Sequence, residues 1–148
     1  MPRIERDASV TWEGNLSRGA GALTAATSGA FAGLPYSLPT RIGAAEGRTS
    51  PEELLAAAHA GCYTMSLASE LADAATPPER LDVRCRVVMD EVEDAGHRIV
   101  ASELTATGRV PGIDGDAFAR ASEAADAGCP FSHLLRASAT VTVSAALD

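Results

Sequence analysis

Two cysteines in this chain, Cys62 and Cys129, sit where a thiol can do chemistry. Cys62 is set among Ala56, Ala57, Ala58, Ala60 and Gly61, side chains small enough to let other backbone close in and leave room for a substrate. Tight helix packing asks for the same residues. Cys129 follows Gly128 and precedes Pro130, at a break beside a new helix N-terminus, where backbone N–H groups favour thiolate over thiol. A free thiol titrates near ~8.5 and is mostly protonated at neutral pH, so a reactive one wants a cation close by. The chain contains no Lys, and that cation must therefore be Arg, fixed in charge and planar. Arg41 is the best candidate, isolated among Leu38, Pro39, Thr40, Ile42 and Gly43, and Glu52 offers a carboxylate to fix it.

The cysteine count is three, and an odd number does not describe a secreted disulfide scaffold. Buried structural thiols and a redox pair both remain open at this point. His59 lies three before Cys62 and His133 four after Cys129, so a Cys2His2 zinc site is arithmetically possible, although the tight knuckle of such sites is missing. The expectation is no metal. Cys85 falls on the apolar face of an alternating segment and reads as a small buried hydrophobe.

The 148 residues suit one domain over 1–148, and apolar residues at 46% against 22% charged exclude a disordered tail. Much of that apolar share is Ala, and aromatics are only 4%, so a core of small side chains is expected to need an oligomer interface. A formal net charge of −8 argues against nucleic acid as a partner. No apolar run reaches the ~18–20 residues of a membrane span, and the first residues lack the apolar stretch of a secretory signal. A cytoplasmic protein is the expectation.

Residues 8–13 alternate and meet the turn pair Gly14-Asn15, and Gly21 to Thr27 completes a hairpin. Residues 28–49 hold enough Gly and Pro for a long loop with at most a short strand. Ser50-Pro51-Glu52-Glu53 is a capping box, opening a helix to about Ala75 whose inward face is expected to carry Leu54, Leu55, Ala58, Cys62, Met65 and Ser69, widened by Leu67 and Leu71. Residues 81–92 alternate as a half-buried strand, and 98–110 return as its hairpin partner. Asp114 to Ala127 is a second amphipathic helix, Cys129 to Leu135 a short helical turn, and Ser138 to Leu147 a last strand. The class is α+β, with antiparallel β-sheets wrapped around a long central helix.

Ser50 to Cys62, with the run Leu54-Leu55-Ala56-Ala57-Ala58-His59-Ala60-Gly61-Cys62, resembles the peroxidatic-cysteine motif of the OsmC/Ohr family of organic hydroperoxide reductases. The resemblance extends to Trp12-Glu13-Gly14, to Pro35 through Arg41, to Val110 through Asp114, and to Ala127-Gly128-Cys129-Pro130-Phe131-Ser132, the second-cysteine motif. It spans nearly the whole chain in order, and the Tyr36-to-Arg41 loop with His59 looks like the OsmC branch. The resemblance implies an OsmC-like fold in an intertwined homodimer and a thiol peroxidase acting on organic hydroperoxides. It makes Cys62 the attacking thiol, Cys129 the resolving one, Arg41 the activating cation and Glu52 its carboxylate holder. No cofactor is implied beyond an external dithiol reductant, lipoyl or protein-borne.

Tyr36, Leu38, Ile42, Phe131 and Leu134 are candidates to accept an apolar hydroperoxide tail, or else pack as plain core. His59 and His133 read as packing or hydrogen-bonding residues, since a thiolate paired with Arg needs no base. Glu52 and Cys62 are about 15 Å apart along an unbroken helix at ~1.5 Å per residue. Either Arg41 bridges part of that span, the helix breaks near Gly61, or Glu52 serves the other subunit's site. Two other functions fit the same residues: a redox sensor without sustained turnover, and a noncatalytic binder of hydrophobic ligands.

Overall fold

The computed structural model describes residues 2–148, which form two compact units, one ending at Pro51 and the other running from Glu52 to Asp148.

In the first unit β1 (Ser9–Glu13), β2 (Ala20–Thr24) and β3 (Leu34–Tyr36) make an antiparallel sheet in chain order. The turn expected at Gly14-Asn15 is present: Gly14 takes a positive φ of 87°, and the Asn15 side chain accepts from the Arg18 N–H at 2.9 Å. Register places Gly21 opposite both Trp12 and Tyr36. The two rings tilt against each other with centroids 5.6 Å apart. A Cβ at Gly21 would sit 2.2 Å from Tyr36 Cε1 and 2.9 Å from Trp12 Cε3, so only glycine fits beneath them. The breaker-rich 28–49 segment holds more structure than expected, because a short helix, α1 (Leu38–Ile42), follows β3. Ser37 caps it by accepting from the Thr40 N–H, and Pro39 lies in its first turn.

The second unit begins in α2 (Pro51–Asp73), which runs unbroken through Gly61. A break near Gly61 is thereby excluded. The chain leaves α2 with Ala75 in the left-handed region at φ 59° and the Thr76 N–H reaching back to the Leu71 carbonyl, and Pro77-Pro78 prevent continuation. The inward face follows expectation at Leu67 and Leu71 and departs from it elsewhere. His59, Tyr63, Leu67 and Leu71 are buried at four-residue spacing, whereas Met65 is 77% exposed and Ala58 also faces outward. Burying the Tyr63 ring removes more apolar area from water than burying Ala58.

β4 (Arg80–Val92) and β5 (Gly96–Arg109) form a long antiparallel hairpin, with a register shift between Val88 and Met89. α3 (Gly115–Gly128) and α4 (Pro130–Arg136) follow, and β6 (Thr140–Leu147) completes the sheet. β6 pairs with β5 in parallel, from Ala101 opposite Thr140 to Gly108 opposite Leu147. The sheets are therefore not antiparallel throughout. The two intervening helices form the kind of crossover that a parallel neighbour requires. β5 is central, so its inward Ser102, Leu104 and Ala106 are fully covered. They pack with Tyr63, Leu67, Leu71, Phe118, Ala125 and Cys129 into one core, edged by Leu81, Val83 and Cys85 of β4 and by Val143 and Ala145 of β6. Among the described residues no helix is long and apolar enough to cross a membrane.

Candidate functional site

The core of the second unit brings the two motif cysteines together. Cys62 lies at the middle of α2, partly buried, and Cys129 is the fully buried N-cap of α4. Their side chains pack together with Phe131, from the first turn of α4, at the edge of one core, close enough for each to act on the Cys62 thiol. No disulfide joins them. Burial, foremost, and the Cys129 thiol push the Cys62 thiol up, whereas the Phe131 backbone bond pulls it down. Burial thus favours the thiol form of Cys62 over its thiolate in these surroundings.

A second set of polar groups lies one helical turn away. His59, with no exposed surface, is hydrogen-bonded at both ring nitrogens: Nδ1 to Ser102 Oγ of β5 at 2.7 Å, and Nε2 to Ser132 Oγ of α4 at 2.8 Å. Both hydroxyls are fully buried as well. Burial lowers the His59 pKa, with Asp126 opposing and Arg136 reinforcing the shift, so the ring is neutral at neutral pH. The hydrogen-bonding role expected for His59 is what the structure shows. Cys85 faces inward from β4, 3.3 Å from Ser102 Oγ, and burial raises its thiol as well. It is therefore tied into a polar network and is more than a small hydrophobe. Ser102 and Ser132 were not legible as partners, because their strand and helix positions predict only burial.

The other site candidates are spread over both units. In the first unit Tyr36 is half-buried against Trp12, Leu38 opens α1, Arg41 lies in its last turn, and Ile42 is 73% exposed. In the second unit Glu52 occupies the first turn of α2, and Phe131 packs on the core beside Cys62 and Cys129. Leu134 is 64% exposed, whereas its neighbour Leu135 is buried. With α2 continuous, Glu52 and Cys62 stand about 15 Å apart along its axis, at ~1.5 Å per residue. His133 is exposed and does not face the thiols with a buried ring. Among the described residues no three His, Cys, Asp or Glu side chains converge as a metal ion would need.

The arrangement sets two free thiols side by side, and the chain has known relatives. Peroxiredoxin OsmC of Escherichia coli (strain K12) is 38% identical over 138 residues, covering 93% of this chain and 94% of that protein. Solved structures share the fold at lower identity. An organic hydroperoxide resistance protein OsmC from Legionella pneumophila superposes with a TM-score of 0.75 at 20% identity, over 97% of this chain and 99% of that one. OhrB of Bacillus subtilis gives 0.72 at 24% identity, over 94% and 97%. The family model described as OsmC-like protein matches residues 43–144, a stretch that holds Cys62, Cys129, the His59 network, β4, β5 and the first residues of β6. Matched over most of its length and similar nearly end to end to a curated relative, the chain belongs to the OsmC family.

Proposed function

We propose that this protein is a thiol peroxidase that reduces organic hydroperoxides to alcohols. The closeness of the Cys62 and Cys129 side chains, within the packed core of the second unit, carries the reading. The Cys62 thiolate attacks the outer peroxide oxygen. An S–O bond forms, the O–O bond breaks, and the alkoxide leaves and takes up a proton as alcohol. The Cys129 sulfur then attacks the sulfenic acid: the S–S bond forms, the S–O bond breaks, and hydroxide departs as water with the proton from Cys129. A dithiol, protein-borne or lipoyl, returns two electrons by exchange. Closure at buried Cys129 shields Cys62 from further oxidation.

Arg41 is assigned as the cation that stabilises the thiolate and the charge on the peroxide oxygens, with Glu52 holding its guanidinium. Tyr36, Leu38, Ile42 and Phe131 are assigned to the apolar tail of the substrate, and Leu134 to the rim. A homodimer in which Glu52 serves the partner's site accounts for the span along α2. Free thiols that must be re-reduced suit the cytoplasm. The deciding experiment is stopped-flow consumption of an alkyl hydroperoxide and of hydrogen peroxide, with lipoyl dithiol and thioredoxin as donors. Many turnovers with the alkyl substrate, abolished in Cys62→Ser, are expected. Consumption that halts after one equivalent would make the protein a sensor, and unchanged consumption in Cys62→Ser would remove the thiol mechanism altogether.

A further inference from the structure

The His59–Ser132 hydrogen bond and the Cys62–Cys129 contact join the same two helices. His59 lies three residues before Cys62 on α2, and Ser132 lies three residues after Cys129 on α4. The two contacts are thus rungs between α2 and α4, each one turn from the other. A single rung lets a short helix pivot about it, whereas two fix its rotation. The Ser102 bond on the far side of the ring ties the imidazole to the central strand, so the second rung is braced against the sheet.

An apolar side chain would fill this space without burying three polar groups. The groups present are fully satisfied, and such a network specifies one arrangement of its elements more sharply than apolar packing does. Oxidation changes the first rung, because the Cys62 sulfur gains an oxygen and its contact with Cys129 is lost. The second rung contains no sulfur and survives that step.

We propose that His59 is a positioning residue that holds α4, through Ser132, so that Cys129 stays within bonding reach of oxidised Cys62. The proposal rests on the thiol peroxidase reading for its place in the cycle, and its geometric content is independent of peroxide. The clamp acts on disulfide closure, in which the Cys129 sulfur displaces hydroxide from the Cys62 sulfenic acid. It does not act on the preceding attack. Closure needs Cα atoms within roughly 4.4–6.8 Å, a narrow window for a seven-residue helix free to turn.

The test uses Ser132→Ala, which removes one hydroxyl, together with His59→Leu and His59→Gln, the last keeping an amide near the Nε2 position. Rapid-quench trapping with dimedone times sulfenic acid formation, and loss of the trappable species times closure. In Ser132→Ala and His59→Leu, closure is expected to slow at least tenfold while sulfenic acid forms within threefold of the wild-type rate, and a sulfinic product 32 Da heavier to accumulate at Cys62. His59→Gln is expected to recover most of the closure rate. In glutathione buffers with no peroxide, the equilibrium between dithiol and disulfide is expected to shift at least tenfold toward dithiol in Ser132→Ala. Closure and glutathione equilibrium both unchanged in Ser132→Ala would overturn the clamp, as would both steps slowing in proportion. If His59→Leu fails to fold, Ser132→Ala decides alone. Peroxide consumption that survives Cys62→Ser sinks the peroxidase reading, and the glutathione equilibrium still judges the clamp.

Discussion

The Cys129 side chain packs beside Cys62 at the junction of α2 and α4, although the whole β4–β5 hairpin and α3 lie between them in the chain. With this geometry, Cys129→Ser is expected to retain the first oxidation and lose the second. One equivalent of alkyl hydroperoxide should leave a sulfenic acid at Cys62 that dimedone captures stoichiometrically. The wild type, treated alike, should show a Cys62–Cys129 disulfide and one remaining free thiol, Cys85, by mass mapping. A disulfide involving Cys85 in the wild type would contradict this assignment.

Burial and the Cys129 thiol both raise the Cys62 pKa, so thiolate is the minor form at neutral pH in these surroundings. The rate of Cys62 alkylation by iodoacetamide in Cys85→Ser should therefore climb with pH through the neutral range and beyond the ordinary thiol value. Arg41→Gln is expected to steepen the requirement for base and to slow hydroperoxide attack by about 100-fold, the effect of removing one donor aimed at developing charge. A flat profile from pH 6 to 8, unchanged in Arg41→Gln, would exclude Arg41 as the activating group.

Much of the second unit was legible because its strands alternate and its helices carry explicit stops. Leu81, Val83, Cys85, Val87 and Met89 share a face of β4, and Phe118, Ser122 and Ala125 that of α3. On α2, Leu67 and Leu71 are legible as buried, whereas Ala58 and Met65 mislead because alanines are nearly neutral markers, and Tyr63 and His59 decide the orientation. The parallel pairing of β6 was not legible, since alternation sets which face a strand buries and says nothing of its direction. α1 was missed although Ser37 and Pro39 signal a cap, because five residues leave no periodicity to read. At the site, small residues and a Gly-Cys-Pro break marked both thiols. The serines that hold His59 come from a strand and a helix remote in sequence, and no local pattern pairs them.

His59 makes the fold sensitive to acid in a defined window. Its folded pKa lies below the unfolded value of ~6.5, because burial disfavours the cation. Above that value the ring is neutral in both states and its contribution is complete. As pH falls below it, the unfolded chain takes up a proton that the folded chain resists, and stability declines until the folded pKa is passed. The melting temperature should fall between pH 7 and 5, and His59→Gln should flatten that part of the curve. An equally steep fall in His59→Gln would assign the acid sensitivity to other groups.

Gly21 lies under the Trp12 and Tyr36 rings, and Gly21→Ala forces a methyl to within 2.2 Å of Tyr36. Overpacking of this kind costs about 1–3 kcal/mol. Trp12 is the only tryptophan, so its fluorescence reports on this sheet alone. The variant should show a shifted Trp12 emission and an earlier unfolding transition by that probe. An emission spectrum and midpoint identical to the wild type would mean that the Tyr36 ring has another place to go.

The continuous α2 leaves Glu52 about 15 Å from Cys62 at ~1.5 Å per residue, and mixed dimers can tell which subunit each Glu52 serves. Glu52→Gln and Cys62→Ser chains, each tagged differently, are refolded together and the hybrid is purified. If Glu52 acts across the dimer, the intact Cys62 of the first chain receives Glu52 from the second, and the hybrid should regain about half the wild-type activity. If it acts within its own chain, no site in the hybrid holds both groups, and activity should stay at about half the level of the Glu52→Gln homodimer. Monomers that keep full activity at high dilution would remove the cross-subunit assignment on independent grounds. The hybrid result separates a carboxylate that completes a neighbour's site from one that merely begins a helix.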